Sequence, residues 1–182
     1  TGGVLLFGLG DFSRTFLIFL AAAALGAGDP GTVLSTAVLL YAGHNLVSAL
    51  AAYPAGRLGD ARSKSRVLVG GYALGVVTNS ILAITTGSLG WLVVAIALSG
   101  VYIAVQETLE KAVVAEVLPR AQRSLGLGML ASANALGDLG SSVFVGVMLA
   151  AGEPRLAFAV PAAIGAAGVI WMTVLVRRGV VR

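Results

Sequence analysis

The sequence predicts an all-α integral membrane protein with six transmembrane helices, and three observations carry that prediction. A helix needs roughly 20 apolar residues to span a bilayer core, and such stretches recur at 3–24, 33–58, 66–86, 90–115, 125–151 and 155–177. The composition is 58% hydrophobic and only 11% charged, far less polar surface than a soluble domain of this length requires. The cations, finally, fall almost entirely on every second connection.

Each span has its own chemistry. An ionisable side chain at depth costs at least roughly 2.5–3.5 kcal/mol on insertion scales, so it needs a partner or a purpose. The first span carries Asp11 and Arg14, spaced i,i+3 so that they can pair on one face. These two charges also interrupt it as a signal peptide. The chain opens on Thr1, as expected of a processed product or a piece of something longer. The second span holds the single histidine, His44, beside Asn45. Tyr41, Asn45 and Ser48 share one face with His44 at its margin, where an imidazole can relay protons or serve as a hydrogen-bonded structural residue.

The third span contains Gly71 and Gly75 in a GxxxG stripe that would let another helix approach closely. On the fourth, Ser99, Tyr102, Gln106 and Glu110 follow one face with Glu107 beside it, and Glu107 and Lys111 are spaced i,i+4. Glu110 and Lys111 lie nearer the basic end, where they are expected to act as anchors. In the fifth, Asp138 falls roughly 20 Å from Leu125 at about 1.5 Å per residue, close to the midplane. Asn134 precedes Asp138 by one turn, and Ser141 and Ser142 follow it, a polar stripe expected to line a cavity and to carry a proton or contact a substrate. Trp91, at the start of the fourth span, and Trp171, near the end of the sixth, suit interfacial anchors or buried core positions equally.

Orientation comes from the loops. Nine of the twelve Lys and Arg residues lie on one face: Arg57, Arg62, Lys64, Arg66, Arg120, Arg123, Arg177, Arg178 and Arg182. By the positive-inside rule that face is cytoplasmic, with both termini on it, in a plasma (inner) membrane. The net charge of +4 is clustered in these loops, which points to lipid as the partner and away from nucleic acid. Without cysteine there are neither disulfides nor thiolate metal sites, and no metal or cofactor is expected. The short connections make consecutive helices antiparallel neighbours.

Two basic loops carry patterns. Gly56-Arg57-Leu58-Gly59-Asp60-Ala61-Arg62-Ser63-Lys64-Ser65-Arg66 resembles the G-x-L-x-D-R-x-G-R-R signature that follows the second helix of each half of major facilitator superfamily transporters. Gly56, Leu58, Asp60 and Lys64 match it, while Ala61 and Ser63 depart from it, as in the weaker copy of the C-terminal half. Glu116 through Gly128, with Pro119 and Arg123, looks like the acid-x-x-P-x-x-x-R-x-x-x-x-G loop of the same half. The resemblance implies a single six-helix domain over 1–182, made of two inverted three-helix repeats (1–86 and 87–182), with the N-terminal six-helix half absent from this chain. It implies alternating access around a midplane site for a small organic solute, coupled to protons through a carboxylate such as Asp138 or Glu107. The missing half, or a second copy, would complete the cavity. Asp60 would latch the cytoplasmic side against a helix terminus of that other half, and Gly56 would allow close packing where its helix ends.

Two other readings compete. A truncated or scaffolding membrane module would use the same helices without transport. Gly8-Leu9-Gly10-Asp11 also matches the GxGD string of intramembrane aspartyl proteases, in which two acids share a proton. Arg14, one turn away, disfavours that chemistry.

Overall fold

A computed structural model describes Phe16, Leu20 and residues 29–85 and 89–179. Within them run five long helices: α1 Pro30–Ala61, α2 Lys64–Ile84, α3 Leu89–Val117, α4 Arg123–Ala150 and α5 Pro154–Arg177. They match the second to sixth expected spans to within three residues at each end, and all five are long and apolar enough to cross a membrane. The first span, with Asp11, Arg14 and the GxGD string, lies outside the described residues except for Phe16 and Leu20, which are helical. The six-helix count and the inverted repeat therefore remain expectations.

Local chemistry sets the ends. Asp29 caps α1 by accepting a bond from the Thr32 backbone N–H at 3.1 Å, and Pro30 occupies the first turn, where no N–H is needed. Only Arg62 and Ser63 separate α1 from α2, so the two helices must run antiparallel. Leu118 and Pro119 end α3, and a 3-10 turn at Arg120–Gln122 leads into α4. Arg123 donates from Nε to the Leu118 carbonyl at 3.3 Å, satisfying an acceptor freed where α3 stops. Between α4 and α5, Gly152 takes φ +78°, the left-handed conformation the reversal demands.

The helices pack around α2 and α3. The former lies against α3 and α5, α3 also holds α1, and α4 meets α3 and α5 more lightly. One apolar cluster joins Leu82, Leu92, Ile96, Val145 and Phe158, with Phe16 and Leu20 against it. A second, toward the basic end, joins Leu68, Tyr72, Tyr102, Val105, Leu109 and Met172. In lipid the tails are as apolar as the side chains, so association rests on close fit. The Gly71/Gly75 stripe supplies that fit. A Cβ on Gly71 would stand 2.4 Å from Val105 Cγ1, and one on Gly75 would stand 3.2 Å from the Tyr102 ring. Gly70, one residue earlier, faces open space. Trp91 and Trp171 are both exposed, which sets aside the buried-core reading of either.

Gly71→Ala should therefore destabilise the detergent-solubilised protein by about 1–3 kcal/mol through overpacking, whereas Gly70→Ala should leave it unchanged or slightly steadier. Thermal unfolding followed by size-exclusion chromatography checks both.

Candidate functional site

The polar face predicted on the fourth span is turned inward. Ser99, Tyr102, Gln106 and Glu110 are all buried on α3, while Glu107 beside them is exposed. Glu110 is only 5% exposed and is the one buried carboxylate among the described residues. Its two oxygens are held from two other helices. Tyr72, the neighbour of Gly71 on α2, donates its hydroxyl to Oε1. Asn134 of α4 donates Nδ2 to Oε2 at 2.7 Å. Gln106, one turn earlier on α3, approaches the same carboxyl, and Asp138 lies within its electrostatic reach.

Beside this network is a cavity of about 540 Å³ between α3 and α4, lined by Gln106, Glu107, Glu110, Lys111, Asn134 and Asp138 with Leu127, Leu130 and Ala131. The α4 stripe at Asn134 and Asp138 and the α3 acids thus converge on one space. Asp138 is exposed and Asn134 half-buried, with its Oδ1 enclosed and lacking a hydrogen-bond partner among the described residues. Ser141 continues the stripe into the packed interior. Three carboxyls and one lysine share this lining, a composition that can bind and release a proton or a cationic group. Among the described residues no group of three potential ligands is spaced to hold a metal ion.

His44 and Asn45 do not join this cavity. His44 is 1% exposed, and its Nε2 lies 3.3 Å from Ser99 Oγ, between α1 and α3. Asn45 points outward, its Nδ2 donating to the Tyr41 carbonyl at 3.0 Å. His44, three residues after Tyr41 and four before Ser48, lies on the buried margin of the face whose Tyr41 and Asn45 are exposed.

At the basic end, Lys64 is a clasp. Its Nζ lies 3.2 Å from Asp60 Oδ1 and 2.8 Å from Glu116 Oε1, joining the ends of α1, α2 and α3. Asp60 is otherwise open, with its side chain 75% exposed. Of the loop's four cations only Lys64 makes an ion pair with it among the described residues. Arg57 sits over the Tyr53 ring at 5.9 Å, and Arg62 and Arg66 face outward. The close approach expected at Gly56 falls one turn later. A Cβ on Gly56 would make ordinary contact with Thr108 at 3.6 Å, whereas one on Gly59 would clash with Leu109 Cδ2 at 2.6 Å.

The family model of the Major Facilitator Superfamily matches residues 2–181. This chain belongs to that superfamily. Comparison with curated proteins and with solved structures gives no match. Membership makes the chain a multi-pass membrane transporter protein, in keeping with the five helices long enough to span among its described residues. In this superfamily member Glu110 differs from its sequence expectation in burial and in its partners on two other helices. Its place nearer the basic end, with Lys111, suggests an anchor, yet Lys111 is exposed while Glu110 is enclosed. The usable signal was its place at the end of the Ser99–Tyr102–Gln106 face. Tyr72 carried no comparable signal.

Tyr72→Phe removes one donor from Glu110 and should cost about 1 kcal/mol of stability. Tyr102→Phe, on the same seam but outside the Glu110 bonds, serves as the comparison in thermal unfolding.

Proposed function

We propose that the chain is the C-terminal half of a secondary active transporter that moves a small organic solute by alternating access, coupled to protons. The observation that supports this most is Glu110, enclosed between three helices at the edge of a polar cavity. A carboxyl with both oxygens bonded across helices links its own proton to the positions of those helices. In this reading Glu110 is the proton-carrying group, Asp138 and Glu107 are the acids that meet solute in the cavity, and Lys111 balances part of their charge. The missing six-helix half closes the open side of the cavity, and both halves rock around it.

The second part of the proposal concerns the basic end. Asp60 is held by Lys64 on one side and open on the other, so it remains available to a helix terminus of the other half. The loop residues Gly56, Arg57, Asp60, Arg62, Lys64, Arg66 and Arg123 form the gating side, which we place in the cytosol together with both termini.

In proteoliposomes holding the complete transporter, one pH unit can sustain about a ten-fold solute gradient at one proton per solute, since each unit corresponds to about 1.36 kcal/mol. Glu110→Gln should collapse that gradient to unity while leaving solute exchange across the membrane intact. Gradient-driven accumulation that survives the substitution would remove Glu110 from the coupling role. Asp60→Asn should lower turnover without changing membrane insertion, and unchanged turnover would exclude the latch.

A further inference from the structure

Away from the polar cavity, the basic end carries two grooves that meet at one arginine. The larger, about 890 Å³, is lined by Arg62, Ser63 and Arg66 at its mouth and by Val67, Gly70 and Leu74 farther down. The smaller, about 400 Å³, runs between α2 and α5 and is lined by the same Arg66 with Val69, Thr173, Val176 and Arg177. Among the described residues no acid lines either groove. Arg62, Arg66 and Arg177 make no ion pair among the described residues, in contrast to Lys64, which takes both nearby carboxylates. Ser63, at the N-cap of α2, makes no side-chain capping bond.

We propose that this place binds an anionic phospholipid, with its phosphate on Arg62 and Arg66 and an acyl chain laid along α2. The groove is bipolar in the way a lipid is. Its cationic mouth sits at the start of the helix, where the backbone dipole also favours an anion. Its floor runs from Arg66 to Leu74, about 12 Å at the helical rise, into the depth occupied by hydrocarbon. Gly70 keeps that floor open, because a side chain there would point into empty space. A soluble anion would use the mouth and leave the apolar floor bare, whereas a zwitterionic lipid would bring its own cation against the arginines. Basic pockets between membrane helices are established headgroup sites. Arg66 serves both grooves, so a second chain of the same lipid can lie between α2 and α5.

The test is native mass spectrometry of the full chain in detergent, titrated with phosphatidylglycerol or phosphatidylcholine. Phosphatidylglycerol should bind at least ten-fold more tightly, and Arg62→Gln and Arg66→Gln should each remove about five-fold of that preference, about 1 kcal/mol per arginine. Gly70→Phe keeps the charges but fills the groove, and should weaken both lipids. Arg155→Gln, at the opposite end of α5 from Arg177, should change neither. Equal binding of the two lipids would overturn the proposal. So would displacement of phosphatidylglycerol by inorganic phosphate at matched concentration, which would make the site one for a free anion. Unaltered lipid binding by Gly70→Phe would overturn it as well.

Discussion

The seam between α2 and α3 is the constraint on which the rest of the structure depends. Lipid offers helices no hydrophobic reward for meeting, so they meet where their surfaces fit. Gly71 and Gly75 remove two side chains from α2, and Val105 and Tyr102 of α3 fill the space. The fit fixes the rotation of both helices. Tyr72, next to Gly71, is carried to the Glu110 carboxyl, and the polar face of α3 is turned into the bundle. A steric contact between apolar atoms thus decides where the polar chemistry is placed.

The other interfaces are of different kinds. At the basic end, Lys64 gathers the ends of three helices with two carboxylates. Such exposed pairs contribute little to stability, and their effect is to order the loop. Between α3 and α4 the packing is light, a cavity intervenes, and Asn134 reaches across it to Glu110. The bundle therefore combines a tight steric joint, an ionic clasp and a polar bridge, each in a separate place.

Most of the helical architecture was legible because it rests on short-range signals. Hydropathy located five helices to within three residues, Gly71 and Gly75 announced a close contact, and the spacing of Asn134 and Asp138 put both on the cavity wall. What could not be read depends on partners distant in sequence. The Glu110 bonds come from residues 38 and 24 positions away, and nothing in the α3 pattern names them. Burial of neighbouring residues was likewise hidden in two places. Glu110 and Lys111 share the basic end of α3 but differ in burial, and His44 is enclosed while its neighbour Asn45 is exposed. At Gly56 the motif drew attention to the wrong turn, since Gly59 is the residue pressed against α3.

The thin α3–α4 interface has a mechanical consequence. A wall held by apolar interlocking resists any small displacement, because atoms collide before they separate. The α3–α4 wall has apolar contact at its two ends, Gly126 against Leu118 and Val145 beside Ile96, and between them the Asn134–Glu110 bridge spans the cavity. The fourth helix of the described bundle is thus the panel least locked by steric fit, and under the proposed coupling it is the one that the hydrogen nucleus on Glu110 would reseat.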